Sequence, residues 1–196
     1  MQIIIPMSGY GERFKKAGYK VPKPLIEVNN KPIISHVINL FPDETNFIFI
    51  CNEDHLRNTN MEKVLYSSCK KPKIIDIKPH KLGPVYAVSQ AFSCINDNEN
   101  TIVNYCDFSC LWDYKKYKRW SSDYDGSIPA YKGFHPHSLG TTNYAYIRER
   151  NKRLIEIQEK KPFTNNRMNE YASSGTYQFS NGKLLKKYFG LALENN

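Results

Sequence analysis

The chain has 196 residues, 40% hydrophobic and 24% charged, a composition that excludes a disordered polymer and suits one α/β domain with its own core. Its net charge of +9 points to anionic partners, but the basic residues are scattered through Lys15–Lys16, Lys70–Lys71, Lys115 to Arg119, Arg148 to Arg153 and Lys186–Lys187. No basic helix interleaved with stacking aromatics emerges from that scatter, as nucleic acid would call for, and no nucleic-acid partner is expected; phosphorylated small substrates explain the sign equally well, and charge alone does not decide.

Ile3-Ile4-Ile5 and Phe47-Ile48-Phe49-Ile50 are the longest apolar runs, far below the roughly 20 residues that span a bilayer. No charged region followed by an apolar one opens the sequence, and a cytoplasmic protein with no membrane partner is expected. The five cysteines, Cys51, Cys69, Cys94, Cys106 and Cys110, are odd in number and fit neither a disulfide framework nor a paired CxxC zinc site. They are expected as free, mostly buried thiols.

In chain order, Gln2 to Pro6 reads as the first strand, followed by a glycine-containing loop. Lys31 to Phe41 has helical period, Asn46 to Cys51 is a buried strand, Met61 to Cys69 a helix and Lys73 to Ile77 a strand. After Gly83-Pro84, the residues Val85, Val88, Phe92 and Ile95 recur at steps of three and four, with Pro84 suited to a first helical turn. Thr101 to Tyr105 is a strand ending at Cys106-Asp107. Beyond it, Ser127 to Tyr131, Asn143 to Arg148, Leu154 to Glu159 and Tyr171 to Phe179 read as strands, and Gly182 to Leu193 as a helix. Strands alternating with helices predict a βαβ layout around a mixed, mostly parallel sheet, with the later strands continuing it. A single domain over residues 1–196 follows. It stops without a closing strand, as a fragment would.

The first loop, Pro6-Met7-Ser8-Gly9-Tyr10-Gly11-Glu12-Arg13-Phe14, has two glycines that let backbone amides approach phosphate. It fails the dinucleotide fingerprint, because Phe14 stands at the third glycine, and it lacks the Gly-Lys-Ser/Thr of a P-loop. Shortly after it, Pro22 and Pro24 flank Lys23 and are expected to hold it in an extended segment. His135-Pro136-His137 is a pair with no evident third metal ligand, so a neutral pocket wall or contact with an anionic acceptor is the expected role. Tyr131, Phe134, Tyr144 and Tyr146 are read as packing residues.

Taken together, Ile5 to Phe14, then Pro22-Lys23-Pro24-Leu25, then Lys31-Pro32-Ile33-Ile34 resemble the signature of the sugar-phosphate nucleotidyltransferases, including small cytidylyltransferases and the capsule and lipopolysaccharide branches. His80-Lys81-Leu82-Gly83 resembles that family's loop against the base, Asn104-Tyr105-Cys106-Asp107 its magnesium-bearing strand end, and Ser174 to Phe179 its strand beside the acceptor. The resemblance implies a GT-A-like (Rossmann-like) three-layer α/β sandwich. It also implies transfer of an NMP unit from an NTP, CTP slightly favoured, to a sugar 1-phosphate or a phosphorylated choline- or amino-acid-type acceptor, releasing pyrophosphate for surface polysaccharide synthesis.

On the same basis Arg13 and Lys23 are the catalytic cations. Met7, Ser8, Gly9, Gly11, His80, Leu82 and Gly83 frame the nucleotide, and Tyr105, Glu159, Lys160 and Gly175 meet the acceptor. Asp107 holds Mg²⁺. A homodimer is compatible with this reading.

Three departures stand out. No second metal-binding acid is placed before Asn196, Glu159-Lys160-Lys161-Pro162 has an additional lysine, and Tyr10 and Glu12 replace smaller residues. The missing acid keeps open a non-catalytic nucleotide binder. A GT-A glycosyltransferase using an NDP-sugar is the other alternative, although Asp107-Phe108-Ser109 lacks its usual Asp-x-Asp.

Overall fold

A computed structural model describes residues 1–133 and 142–195. His135, His137 and Phe134 lie outside the described residues. The chain divides into two compact units, one of residues 1–127 with 177–196 and a second of residues 128–176.

In the first unit, β1 (Gln2–Met7) leads to α1 (Glu12–Lys16), a short hairpin of β2 (Glu27–Val28) and β3 (Lys31–Pro32), and α2 (Ile33–Ile38). Next come β4 (Asn46–Asn52), α3 (Glu53–Asn58), α4 (Met61–Ser68), β5 (Lys73–Ile77), α5 (Gly83–Ser89), β6 (Thr101–Asn104), α6 (Tyr114–Ser121) and β7 (Gly126–Ser127). The second unit holds β8 (Ala130–Tyr131), β9 (Ala145–Arg150), β10 (Arg153–Glu159) and β11 (Tyr171–Ser173). The chain then returns to the first unit as β12 (Thr176–Phe179), whose opening residue ends the second unit, and α7 (Gly182–Glu194).

The principal sheet runs β5-β4-β1-β6-β12-β7. Its first four strands are parallel, while β7 and β12 pair antiparallel, giving the mixed, mostly parallel sheet expected. Strand alternation builds the layers. Ile3, Ile5, Phe47, Phe49 and Ile102 face a core completed by Ile34, Val37, Met61, Leu65 and Tyr114 from α2, α4 and α6. Ile4, Ile48, Ile50 and Val103 face the opposite core, with Ala87 and Val88 of α5 and Leu185 of α7. That is a three-layer α/β sandwich.

Gln2, wholly buried in β1, satisfies its amide by donating from Nε2 to the Asn96 carbonyl and Thr101 Oγ1, each at 2.7 Å, and by accepting the Asn96 amide on Oε1. It fixes the turn before β6. Against this turn packs Gly182, the first residue of α7. A Cβ there would fall on the Asn96 carbonyl oxygen and within 2.8 Å of Ile95 Cγ2. Gly182→Ala is therefore expected to destabilise the protein by about 1–3 kcal/mol, the usual cost of overpacking. Thermal unfolding checks this, and an unchanged midpoint would mean the turn yields freely.

Several elements differ from expectation. The helix expected over Lys31–Phe41 is confined to Ile33–Ile38, because Lys31-Pro32 pairs with Glu27-Val28. Ser127 to Tyr131 is two strands. Gly126–Ser127 pairs with β12 in the principal sheet, Ala130–Tyr131 pairs with β11, and Pro129, which has no N–H to give a ladder, falls between. Tyr171 to Phe179 breaks likewise at Ser174-Gly175, where Gly175 has φ 76°. The later strands therefore do not all continue the first sheet. β10-β9-β11-β8 form a separate antiparallel one.

The cysteines are all free as expected, but only Cys51 is buried. Cys69 and Cys106 are partly covered, and Cys94 and Cys110 are exposed because they fall in turn and loop segments. Burial pushes the Cys51 and Cys106 thiols up to about 12, so neither is a ready nucleophile.

Candidate functional site

The residues singled out from the sequence in the first unit sit on loops at the carboxyl ends of parallel strands. The β1–β4 ladder continues to Met7↔Cys51, whereas the β1–β6 ladder stops at Ile4↔Val103. Past that level β1 has no described partner on its β6 side, which is where Pro6, lacking an N–H, is tolerated. From β1 the chain winds to β4 and β5 on one side, then returns to β6 on the other. The gap between the ends of β1 and β6 is therefore the topological switch point of the sheet, where open α/β folds place ligands.

The glycine loop leaves β1 here. Met7 and Ser8 are buried, Gly9 is exposed, and Gly11 adopts φ 64°, a left-handed conformation that only glycine takes at little cost. Its carbonyl accepts the Phe14 and Lys15 amides and so starts α1. Asn52, at the end of β4, donates its Nδ2 to the Ser8 carbonyl at 3.3 Å. Arg13 is exposed and has no ion pair among the described residues, as is also true of Lys15, Lys16 and Lys20.

Lys23 opens a single 3₁₀ turn, Lys23–Leu25, in place of the extended segment expected, because the Leu25 amide donates to the Pro22 carbonyl at 2.8 Å. Its ammonium lies 5.0 Å from the centre of the Phe14 ring and forms an ion pair with Asp107, 84 residues along the chain. Asp107 follows β6. The two side chains are 19% and 33% exposed, so water reaches both charges and no unpaired buried charge is created. Tyr105, also past the end of β6, is partly exposed, with its ring 6.0 Å from that of Tyr177 on β12.

The loop after β5 is tied to the glycine loop. His80 Nε2 lies 3.1 Å from the Ser8 hydroxyl, and Lys81 pairs with Glu12 at 2.7 Å while its ammonium stands 5.8 Å from the Tyr10 ring. Mutual attraction holds the exposed Glu12 carboxyl below and the Lys81 ammonium above their ordinary values. Leu82 is exposed and Gly83 has φ 82°. These links were not foreseen. Their one visible signal was the pair of residues Tyr10 and Glu12, unusual in such a loop and chemically complementary to Lys81.

In the second unit, Glu159 ends β10 and forms an exposed ion pair with Lys160 at 3.6 Å. Lys160 adopts φ 60° and donates its amide to the Tyr144 carbonyl at 2.8 Å. Gly175 is buried and donates its amide to Ser173 Oγ at 3.1 Å. Among the described residues no group of three or more His, Cys, Asp or Glu side chains could cage a metal. Glu194 lies at the exposed end of α7. Also among the described residues, no helix is long and apolar enough to cross a membrane.

A family model for nucleotidyl transferases matches residues 2–193. The bifunctional protein GlmU of Methanococcus maripaludis is 27% identical over 198 residues, covering 100% of this chain and 42% of the relative. Mannose-1-phosphate guanyltransferase beta-B of Xenopus laevis is 26% identical over 186 residues, covering 92% of this chain and 50% of the relative. The chain thus spans about half the length of the curated relatives it matches. Among solved structures, the nucleoside-diphosphate-sugar pyrophosphorylase from Vibrio cholerae RC9 superposes with a TM-score of 0.72 at 20% identity, covering 99% of this chain and 78% of that one. At that identity the likeness speaks for the fold.

Proposed function

The chain belongs to the nucleotidyl transferase family, and on that premise we propose that it transfers an NMP unit from an NTP to a phosphorylated small molecule, a sugar 1-phosphate foremost, with release of pyrophosphate. The observation that carries this reading is the meeting of Lys23 and Asp107 at the switch point, beside a glycine loop followed by Arg13, which has no ion pair among the described residues.

An oxygen of the acceptor phosphate attacks the α-phosphorus, forming the new P–O bond as the bond to the bridging oxygen breaks, and the electron pair leaves with pyrophosphate. A phosphate nucleophile is already anionic and needs no general base. Positioning and charge neutralisation are then the protein's task. The amides of Gly9 and Gly11 approach the phosphates, with Met7, Ser8, His80, Leu82 and Gly83 around the nucleoside. Arg13 meets the departing β- and γ-phosphates, and Lys23 exchanges Asp107 for the α-phosphate and the acceptor phosphate, neutralising charge as it shifts. Tyr105, Glu159, Lys160 and Gly175 serve the acceptor.

One carboxylate fits Mg²⁺, a hard ion that takes few protein ligands and completes its shell with phosphate oxygens and water. Asp107 would hold it, and when bound the ion offsets triphosphate charge.

We slightly favour CTP as donor, because the short base loop His80–Leu82 resembles that of small cytidylyltransferases. We further read residues 1–196 as one transferase domain of a cytoplasmic enzyme, compatible with a homodimer, that serves surface polysaccharide synthesis. The test is a pyrophosphate-release screen crossing the four NTPs with sugar 1-phosphates and choline- and amino-acid-type phosphates. Release is expected with one NTP and one acceptor class. Tight NTP binding with no release from any pair would make the protein a binder and end the catalytic reading.

A further inference from the structure

One imidazole fastens the loop after β5 to the loop after β1. His80 is half-buried. Its Nδ1 accepts the Leu82 amide at 3.2 Å, and its Nε2 lies 3.1 Å from Ser8 Oγ. A backbone N–H can only donate, so Nδ1 carries no proton and the ring proton of the neutral imidazole sits on Nε2. Nε2–H therefore donates to Ser8 Oγ. Ser8 is 3% exposed, and its own hydroxyl proton finds no acceptor among the described residues. The imidazole occupies one lone pair of that hydroxyl and leaves its proton to be donated.

We propose that His80 is a positioning residue for the nucleotide that works only as the neutral Nε2–H tautomer, holding the Leu82 amide in its turn and leaving the Ser8 hydroxyl as a donor for the nucleoside. This rests on the nucleotidyl transfer reading and refines it, since His80 acts through Ser8 and Leu82. A second ring proton would put an N–H on Nδ1 against the Leu82 N–H. Two donors then face each other, and the link fails.

The surroundings favour the neutral ring. Burial pulls the His80 imidazole below its ordinary value. Tyr86 of α5 presents its ring edge-on at 4.7 Å, and Lys81, the chain neighbour, is taken up by Glu12 from α1 and lies over Tyr10. No carboxylate bonds the imidazole among the described residues, so nothing there stabilises its cation. With the folded value lowered, the link is complete above the ordinary histidine range and is lost as pH falls through the folded value.

The experiment compares wild type with His80→Asn, which keeps an acceptor for the Leu82 amide but cannot take a proton, and with His80→Ala. The affinity of wild type for its NTP should fall by close to tenfold per pH unit below the folded value, beyond any fall in His80→Asn. Ionisation of the nucleotide's own phosphate is common to both proteins and drops out of that difference. At pH 7.5, His80→Ala should raise KM by about tenfold with kcat within about twofold, as loss of binding and not of chemistry requires. Nitrogen NMR of the free protein at that pH should show an unprotonated Nδ1 and a protonated Nε2.

The Nδ1–H tautomer, or the same acid limb in His80→Asn as in wild type, would overturn the proposal while leaving nucleotidyl transfer standing. Failure of wild type to bind any of the four NTPs at pH 7.5 would overturn the transfer reading, and this proposal with it. The two failures are distinct observations.

Discussion

Lys23→Ala is expected to lower turnover by on the order of 10²-fold, with the fold retained. The magnitude is what one preorganised charge-stabilising group contributes when charge shifts during a reaction. The fold should survive because the Lys23 ammonium, 19% exposed as a side chain, is engaged among the described residues by the Asp107 carboxylate and the Phe14 ring at the surface, and water reaches the carboxylate that remains. Asp107→Asn should cost a comparable factor. The two residues meet in one ion pair, so the double variant should lose much less than the product of the single effects. Pyrophosphate release measures turnover and thermal unfolding verifies the fold. Wild-type turnover in Lys23→Ala would remove Lys23 from the mechanism, and strict multiplicativity would mean the pair is incidental.

Phe49→Ala should be the most destabilising of the substitutions considered, at about 3–5 kcal/mol. Phe49 is fully buried on β4, in register with Ile5 on β1 and Ile74 on β5, and its ring stacks on Phe47 at 5.9 Å with a 9° tilt. Both rings lie in the core beneath α2 and α4, where the surrounding strands cannot collapse into the void. Against a total stability of about 5–15 kcal/mol, that is a large share. A drop on the order of 10 °C in unfolding midpoint is expected for a chain of this size. A drop of a degree or two would mean that this face of the sheet is loosely packed.

What could be read from the sequence follows from the kind of signal each element carries. β1, β4 and β6 are parallel strands inside the sheet and β5 is its parallel edge; such strands show as apolar runs, so their limits were found within a residue or two. The glycine loop and Asp107 were legible for the same reason, since they directly follow those runs. The hairpin turns at Asn29-Asn30 and Asn151-Lys152 were not. Both residues of each turn have positive φ without any glycine to mark it. Nor was α3 seen, although Asn52 caps it by accepting the Asp54 amide at 2.8 Å and acids fill its first turn. Periodicity reports that a segment is a strand and is silent about which sheet it joins, so the divisions at Pro129 and Gly175 escaped it. Contacts between distant residues escaped it too. Nothing local to Ser8 announces His80, 72 positions away, and nothing local to Lys23 announces its ion pair with Asp107.

The separation between Lys23 and Asp107 also bears on how the protein acquires its site. A contact that closes a loop of 84 residues carries a large entropic cost before it gives anything back, and it can form only after β6 has docked on β1. The glycine loop is made early in synthesis, whereas its carboxylate partner emerges much later. During translation, the first hundred residues therefore hold the glycine loop and a lysine whose counter-charge has not yet been made. Any product that stops short of residue 107 keeps this half-built arrangement for good.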